Sequence, residues 1–255
     1  MRIVRFSHQD AIRYGIVDGG ELVALSGDPM FAGFETTGER VPIADVALLA
    51  PVIPRSKVVA VGRNYRDHAA EFGNEVPAAP MLFFKPNTSV IGPGDAIVRP
   101  RQSAQVDFEG ELAAVIGRIA KNVPAERALD YVFGYTLAND VTARDLQKPD
   151  GQWARAKGFD MFCPLGPAIE TEFDPAGPAI LTARVNGETR QEAPLTDMVH
   201  SVADIVAYAS AAFTLLPGDV ILTGTPAGVG PLVAGDVVEV EVTGLGVLRN
   251  TVRDA

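Results

Sequence analysis

Three carboxylates alternate along one short stretch of the chain, "QVDFEGELAAVIG" (residues 105–117). Residues two apart on a β-strand point to the same face, so Asp107, Glu109 and Glu111 are predicted to line one side of a strand. A fourth acid, Asp140, ends the apolar segment "YTLAND". Converging carboxylates repel one another unless a cation lies between them, and oxygen ligands suit Mg²⁺ or Mn²⁺. The pattern therefore favours a divalent-metal site.

Two structural alternatives compete with the metal site. The acids could face water from an edge strand, although the stretch continues directly into "LAAVIG", which has the composition of a buried strand. Asp140 could instead cap a helix formed by "VTARDLQ". Both alternatives stay open at the level of these residues.

A histidine and a glutamate lie three residues apart in "NYRDHAAEFG". On a helical turn His68 and Glu71 would be neighbours, and a carboxylate beside an imidazole fixes its tautomer and raises its basicity. The pair is therefore a candidate general base, and a solvent-exposed loop histidine is the alternative. The longer segment "RNYRDHAAEFGNEVPAAP" has a Gly, Pro and charge content that is typical of a mobile lid. We interpret His8 and His200 as structural or surface residues.

Composition excludes several classes of function. The chain has 255 residues, 47% of them hydrophobic, with 25 Gly and 19 Pro, which favours many short elements in a β-rich α+β protein. A formal net charge of −10 disfavours nucleic-acid binding. No apolar run reaches the roughly 20 residues of a membrane span, and the N-terminus lacks the apolar core of a secretory signal, so we expect a cytoplasmic protein. Cys163 is the single cysteine and is predicted to be a small buried hydrophobe.

Local patterns predict several elements of the fold. The segments "MRIVRF", "RYGIVDGG" and "ELVALSG" alternate apolar and polar residues, as in a small β-meander. Asn186-Gly187 predicts a two-residue hairpin turn. Ser201 is positioned to cap a helix over "SVADIVAYASAAF", with Asp204 three residues on. Pro51 and Pro54 suggest a boundary, giving a small N-terminal β domain (residues 1–55) and a catalytic domain (residues 56–255).

From about residue 57 to residue 250 the chain resembles the fumarylacetoacetate hydrolase family. Seven motifs carry the resemblance in the expected order: "VGRNYRDHAAE", "LFFKP", "VDFEGELAAVIG", "GYTLANDVTARDLQ", "WARAKGFDMFCPLGP", "VNGETRQ" and "ILTGTPAGVG". The first 50 or so residues resemble the small N-terminal extension of bacterial members. The resemblance implies a mixed β-sandwich roll with a deep metal-binding cleft, and a homodimer.

The resemblance also assigns roles to individual residues. By position the metal ligands would be Glu109, Glu111 and Asp140, with Asp107 as a neighbour on the same face. His68 and Glu71 would form a catalytic dyad on a lid. The residues that fall where family members contact the carboxylate and oxo groups of the substrate are Arg144, Gln147, Lys157 and Thr225, and Lys157 is also expected to take part in catalysis.

The expected reaction is metal-dependent hydrolysis of a carbon–carbon bond in an acylpyruvate-type or 1,3-dicarbonyl acid, such as fumarylpyruvate or fumarylacetoacetate. Two alternatives stay open. The first is an isomerase or decarboxylase of 2-hydroxy-diene diacids or oxaloacetate in aromatic catabolism. The second is a non-catalytic protein that binds a metal or ligand. The Gly-rich "GTPAGVG" matches neither the dinucleotide fingerprint nor the phosphate-loop spacing, which disfavours nucleotide binding.

Overall fold

The computed structural model describes all 255 residues and confirms a β-rich α+β protein. The first ten strands, in chain order, are β1 (Arg2–His8), β2 (Ala11–Asp18), β3 (Glu21–Leu25), β4 (Thr36–Pro42), β5 (Ala47–Leu49), β6 (Val58–Gly62), β7 (Met81–Lys85), β8 (Val90–Ile91), β9 (Ala96–Arg99) and β10 (Val106–Phe108). The remaining strands are β11 (Gly110–Ile116), β12 (Val132–Asn139), β13 (Thr142–Ala143), β14 (Cys163–Glu170), β15 (Ile180–Val185), β16 (Glu188–Pro194), β17 (Val220–Leu222), β18 (Gly230–Pro231), β19 (Val237–Val242) and β20 (Gly246–Asp254).

The helices are short and connect the strands. The α-helices are α1 (Pro29–Ala32), α2 (Arg66–Glu71), α3 (Arg144–Asp150), α4 (Ala154–Gly158) and α5 (Val202–Ala212). Four 3₁₀ helices cover Ile43–Asp45, Asn87–Ser89, Ala125–Tyr131 and Leu195–Asp197. None of these helices combines the length and the apolar character needed to cross a membrane.

The strands form three sheets. The largest has the order β4-β3-β2-β1-β14-β12-β11-β17-β6-β7, with β5 paired to β1 and β8 paired to β14. A five-stranded sheet has the order β16-β15-β19-β20-β9, and a three-stranded sheet has the order β13-β10-β18. Most pairs are antiparallel, but three are parallel: β8 with β14, β6 with β17 and β9 with β20. A core of 23 buried residues fills the space between the two larger sheets and α5.

The predicted N-terminal strands form, and they continue the main sheet. Strand β1 pairs with β2 along its length and with β14 through Arg2 and Ile3. The predicted domain boundary after residue 55 falls between β5 and β6, and it stays a prediction. Cys163 is buried as expected, and burial raises the pKa of its thiol to about 12.

Two local predictions are confirmed in detail. Strands β15 and β16 form a hairpin through Asn186 and Gly187, both in the left-handed region with φ of 53° and 82°. This conformation is the one that an Asn-Gly hairpin turn requires. Helix α5 begins after Ser201, whose hydroxyl accepts the Asp204 N–H while the Asp204 carboxylate accepts the Ser201 N–H.

One prediction is wrong in a way that shapes the site. The acidic stretch is not a single strand, because it breaks at Glu109 into β10 and β11, which belong to different sheets. The side chain of Phe108 packs in one apolar cluster and that of Leu112 packs in another. The chain thus passes from one sheet to the next at Glu109, so strand alternation does not hold across this residue.

Candidate metal and active site

Three carboxylates meet at the junction between β11 and β12. These strands are antiparallel neighbours with Gly110 opposite Asn139, so Glu109 and Asp140, at the ends of the two strands, come together. The Asp140 N–H donates to the Glu109 carbonyl at 2.8 Å. Carboxylate oxygens of Glu109, Glu111 and Asp140 lie within 4.8 Å of one another, and each residue is at most 4% exposed.

The structure rules out both structural alternatives to a metal site, the solvated edge strand and the helix cap. The three carboxylates are buried, so they do not lie on a solvated edge strand. Asp140 does not cap a helix, because α3 begins only at Arg144 and Ala143 occupies the cap position. The side chain of Asp140 is bound by lysine ammonium groups instead.

Two buried lysines balance part of the negative charge. The Lys157 Nζ donates to Glu109 Oε2 and Asp140 Oδ2, both at 2.7 Å. The Lys85 Nζ donates to Asp140 Oδ1 at 2.6 Å and to the backbone carbonyls of Val141 and Lys157. Burial alone would lower the pKa of Lys157, but the charges of Asp140 and Glu109 outweigh it and raise that pKa. Lys157 is therefore held as a cation.

Glu111 differs from its neighbours because it has no cationic partner. Its carboxylate accepts a hydrogen bond from the Gly224 N–H at 2.6 Å and forms no ion pair. Burial, together with the charges of Asp140 and Glu109, raises the pKa of Glu111 well above its usual range. Burial also opposes ionisation of Glu109, but there Lys157 and Arg144 prevail and lower its pKa. Glu111 is thus the one acid of the cluster that forms no salt bridge, and burial beside two other acids disfavours its ionised form.

Arg144, at the start of α3, joins the cluster to its surroundings. Its Nη2 donates to Glu109 Oε1 at 2.5 Å, its Nε to Asp107 Oδ2 at 2.8 Å and its Nη1 to Gln147 Oε1 at 2.8 Å. The guanidinium carbon lies 4.8 Å from the centre of the Phe72 ring. Asp107 is therefore a partner of Arg144 and lies outside the three-carboxylate cluster.

Substitution of Arg144 by lysine should lower kcat/KM about 10- to 100-fold. The single ammonium group of a lysine cannot hydrogen-bond to Asp107, Glu109 and Gln147 at the same time. Each charge-assisted hydrogen bond contributes about 1.5–3 kcal/mol. Steady-state kinetics of Arg144→Lys measures the loss. Arg155→Lys is the matched control, because Arg155 makes a paired contact with Asp150 on an exposed surface. Equal rates for the two variants would contradict this role of Arg144.

His68 and Glu71, the two residues of the predicted dyad, are neighbours on α2. The Nδ1 of His68 lies 3.2 Å from Glu71 Oε2, and Glu71 Oε1 accepts the Gly228 N–H at 3.2 Å. His68 is buried rather than exposed on a loop, and the edge of the Phe72 ring packs against it at 5.3 Å between ring centres. With Nδ1–H donated to Glu71, Nε2 is the basic nitrogen. Burial is the main cause that lowers the pKa of His68 below its ordinary value.

The three clustered carboxylates line one cavity of about 480 Å³ together with His68, Arg144 and Lys157. The predicted site residues that line it are His68, Glu109, Glu111, Asp140, Arg144, Gln147, Lys157 and Thr225. Glu71 lies behind His68 and is not part of the lining. The Thr225 hydroxyl donates to the Gly110 carbonyl at 2.8 Å, which fixes its place beside the cluster.

The sequence reasoning missed Lys85, although a signal was present. Strand β7 places Met81, Phe83 and Lys85 on one face, and Phe83 lines the cavity. A lysine that shares a face with apolar residues and ends a strand needs a buried acidic partner, because an unpaired buried ammonium is costly. That partner is Asp140.

The donor set fits a hard divalent cation. Three buried carboxylates supply only oxygen ligands, which is the preference of Mg²⁺ and Mn²⁺, and the unpaired Glu111 leaves one of them without a counter-charge. The residues that would hold the ion are Glu109, Glu111 and Asp140.

Comparison with known proteins identifies the family of this chain. The family model described as "Fumarylacetoacetate (FAA) hydrolase C-terminal" matches residues 57–253, and one described as "Rv2993c-like, N-terminal" matches residues 1–51. Protein Rv2993c of Mycobacterium tuberculosis is 50% identical over 99% of this chain and 98% of its own length. The mitochondrial oxaloacetate tautomerase Fahd2a of Rattus norvegicus is 45% identical over 83% of this chain and 71% of its own length.

Among solved structures, the 2-hydroxyhepta-2,4-diene-1,7-dioate isomerase from Mycobacterium marinum superposes with a TM-score of 0.92. It is 46% identical, and the match covers 100% of this chain and 98% of that chain. The family model, the relatives and the solved structure all agree over most of the chain, and this chain belongs to the fumarylacetoacetate hydrolase family.

Proposed function

We propose that this protein is a divalent-metal-dependent hydrolase that cleaves a carbon–carbon bond in acylpyruvate-type oxo acids. One observation carries the proposal: a buried cluster of Glu109, Glu111 and Asp140 shares a single cavity with His68. A carboxylate cluster alone could store a cation. Its combination with a histidine that Glu71 orients supports proton transfer on a bound oxo acid.

The carboxylates of Glu109, Glu111 and Asp140 would hold Mg²⁺ or Mn²⁺. When bound, the cation acts as a Lewis acid that polarises the 2-oxo group of the substrate. The chain supplies the surroundings of that ion: Lys157 bridges Glu109 and Asp140 and fixes their positions, while Lys85 orients the other oxygen of Asp140.

His68 supplies the base in this scheme. Its Nε2 takes a proton from a water molecule, and Glu71 stabilises the imidazolium that forms. The hydroxide adds to the distal carbonyl carbon, and the bond between that carbon and C3 breaks. The electron pair passes to C3, which then takes up the proton and completes the hydrolysis. Two acids leave, one of them of the pyruvate type.

The charges around the cavity suit an anionic substrate. Formally, four carboxylates (Asp107, Glu109, Glu111 and Asp140) face three cations (Lys85, Lys157 and Arg144), which leaves one negative charge. A dication changes this balance to one positive charge. Binding of the oxo acid and binding of the cation should therefore favour each other.

A second candidate is isomerisation or tautomerisation of an oxo diacid. It is favoured by the reactions named for the relatives at 45–46% identity, an oxaloacetate tautomerase and a 2-hydroxyhepta-2,4-diene-1,7-dioate isomerase. In this case His68 would take a proton from carbon rather than from water, and no water would be consumed. Decarboxylation of oxaloacetate would use the same polarised oxo group.

Product analysis separates these reactions. The protein is incubated with an acylpyruvate, oxaloacetate or a hydroxy-diene diacid in H₂¹⁸O, with Mg²⁺ and again with chelator. Hydrolysis yields two acids with ¹⁸O in the new carboxylate, isomerisation keeps the substrate mass, and decarboxylation releases carbon dioxide. We expect ¹⁸O incorporation with the acylpyruvate that chelator abolishes. Turnover that continues unchanged in excess chelator would contradict a metal-dependent enzyme.

The pH profile of the reaction should reflect the burial of His68. The neutral imidazole is the active base, and burial lowers its pKa below the ordinary value of 6.5. The midpoint of the acidic limb in the pH profile of kcat/KM should therefore lie below pH 6.5. The enzyme should stay active at pH values where an exposed histidine would be protonated. A limb centred above 6.5 would contradict the assignment. His68→Gln should lack this limb.

A further inference from the structure

Gln191 is a buried amide that ends the motif "VNGETRQ", and the sequence analysis gives it no role in the site. It lies on β16, in the five-stranded sheet, and is 1% exposed. Strand β16 contributes no residue to the cavity lining. The side chain nevertheless reaches across to the turn that carries two of the three clustered carboxylates.

The Gln191 amide uses its acceptor and both donors. Its Oε1 accepts the Gly110 N–H at 2.9 Å, and Gly110 separates Glu109 from Glu111. Its Nε2 donates to Thr225 Oγ1 at 2.8 Å and to the Pro226 carbonyl at 2.7 Å. A Cβ on Gly110 would come within 3.2 Å of Gln191 Oε1, so the amide rests directly against this backbone.

Thr225 and Pro226 begin a loop that extends to Gly228, and β16 also contacts the loop at Gly228. Gly228 has a φ of 97°, and a Cβ there would lie 2.0 Å from the Arg190 carbonyl oxygen, so the loop lies directly on β16. The Gly228 N–H donates to Glu71, the partner of His68. The loop therefore connects Gln191 with the dyad.

A β-bulge lies directly beside Gln191 in the hairpin. Gln191 pairs with Ala183 and Thr189 pairs with Arg184, so Arg190 is the extra residue of a β-bulge. Bulges turn neighbouring side chains and are frequent beside functional sites.

We propose that Gln191 is a positioning residue that fixes the carboxylate cluster, Thr225 and the His68–Glu71 dyad at the correct positions relative to one another. An amide is suited to this task, because it offers an acceptor to Gly110 and two donors to Thr225 and Pro226 at once. The inference rests on the proposed function for its effect on catalysis. Its effect on cation binding follows from the Gly110 contact alone.

Gln191→Met tests the proposal, because it keeps the volume and removes every hydrogen bond. We expect kcat to fall about 100-fold, as for a misplacement of about 1 Å in a catalytic group. The Mn²⁺ affinity measured by calorimetry should fall about tenfold, as when a group that orients metal ligands is lost. Gln191→Glu, which keeps an acceptor for Gly110 but loses the amide donors, should lower kcat to a similar extent.

Two controls separate positioning from general destabilisation. Val242→Ala removes core volume from the same sheet, and Glu192→Gln changes an exposed neighbour. Both should keep kcat within about twofold at temperatures where circular dichroism shows folded protein. In addition, Gln191→Met combined with Glu71→Gln should lose less activity than the product of the single losses, because both act on His68.

The outcomes distinguish the two proposals. If the wild-type protein converts the oxo acid and Gln191→Met behaves like Val242→Ala in kcat, Mn²⁺ affinity and coupling to Glu71, then the positioning role is overturned. If the wild-type protein converts no oxo acid, then the proposed function fails. In that case an Mn²⁺ affinity that is lower in Gln191→Met than in Val242→Ala still supports the role at Gly110, and equal affinities overturn it.

Discussion

Replacement of Glu111 by glutamine should abolish the stabilisation of this protein by Mg²⁺ or Mn²⁺. A cation present at 100 times its dissociation constant stabilises a folded protein by about 2.7 kcal/mol, which is about 5–10 °C in Tm for a chain of this size. Glu111 supplies one of the three carboxylates, and it is the one that no side-chain cation neutralises. We therefore expect the Tm shift with metal to disappear in Glu111→Gln.

Without metal, the same variant should be more stable than the wild-type protein, by about 1–3 kcal/mol at neutral pH. Burial and the charges of Asp140 and Glu109 raise the pKa of Glu111, so the folded protein holds this proton more tightly than the unfolded chain does. Below the usual carboxyl range both states are protonated and the penalty is absent. It grows as the pH rises through that range towards the higher folded pKa.

Thermal unfolding with and without Mn²⁺ between pH 4 and pH 7.5 measures both effects. The advantage of metal-free Glu111→Gln over the wild type should widen as the pH rises. Glu126→Gln is the control, because it removes the same charge from an exposed position. A metal-induced Tm shift in Glu111→Gln equal to that of the wild type would contradict the ligand assignment.

The second large effect is expected for His68→Ala, which should lower kcat about 10²- to 10⁴-fold, the usual contribution of a general base. The histidine makes no contact that the carboxylate cluster needs for its geometry, because Lys157, Lys85 and Arg144 hold Glu109 and Asp140. Mn²⁺ affinity should therefore stay within about threefold of the wild type. The loss should appear in kcat rather than in cation binding.

Single-turnover kinetics with a saturating acylpyruvate, together with calorimetry for Mn²⁺, checks this separation. His8→Ala is the matched control, because His8 ends β1 and does not line the cavity. Near-normal hydrolysis by His68→Ala would remove the base from the mechanism. A parallel loss of cation affinity would show instead that His68 contributes to the cluster itself.

Local chemistry in the sequence predicted those parts of the fold that neighbouring residues determine. The Asn186-Gly187 turn and the Ser201–Asp204 capping box form because their hydrogen bonds and φ values are satisfied within a few residues. The break at Glu109 was not predictable in this way. It depends on β10 and β11 joining different sheets, and those pairings involve residues far away in the chain.

In the candidate site, too, local features could be predicted and contacts between distant residues could not. The acidic residues and the histidine pair could be named as candidates from their residue types and positions, and the family resemblance then assigned their roles. Lys85 and Gln191 were missed, since each acts on a partner more than 50 residues away. Gln191 lies in "ETRQEAP", which has no apolar alternation that would mark a buried side chain. Its role becomes visible only once β16 is placed against the turn at Gly110.

A crystal of the protein grown with Mn²⁺ tests the central claim most directly, because anomalous scattering locates manganese without reference to activity. We predict one strong anomalous peak in the cavity, within about 2.0–2.3 Å of carboxylate oxygens from Glu109, Glu111 and Asp140. A fully loaded crystal without a peak among these three residues, or with manganese only at surface carboxylates, would contradict the account.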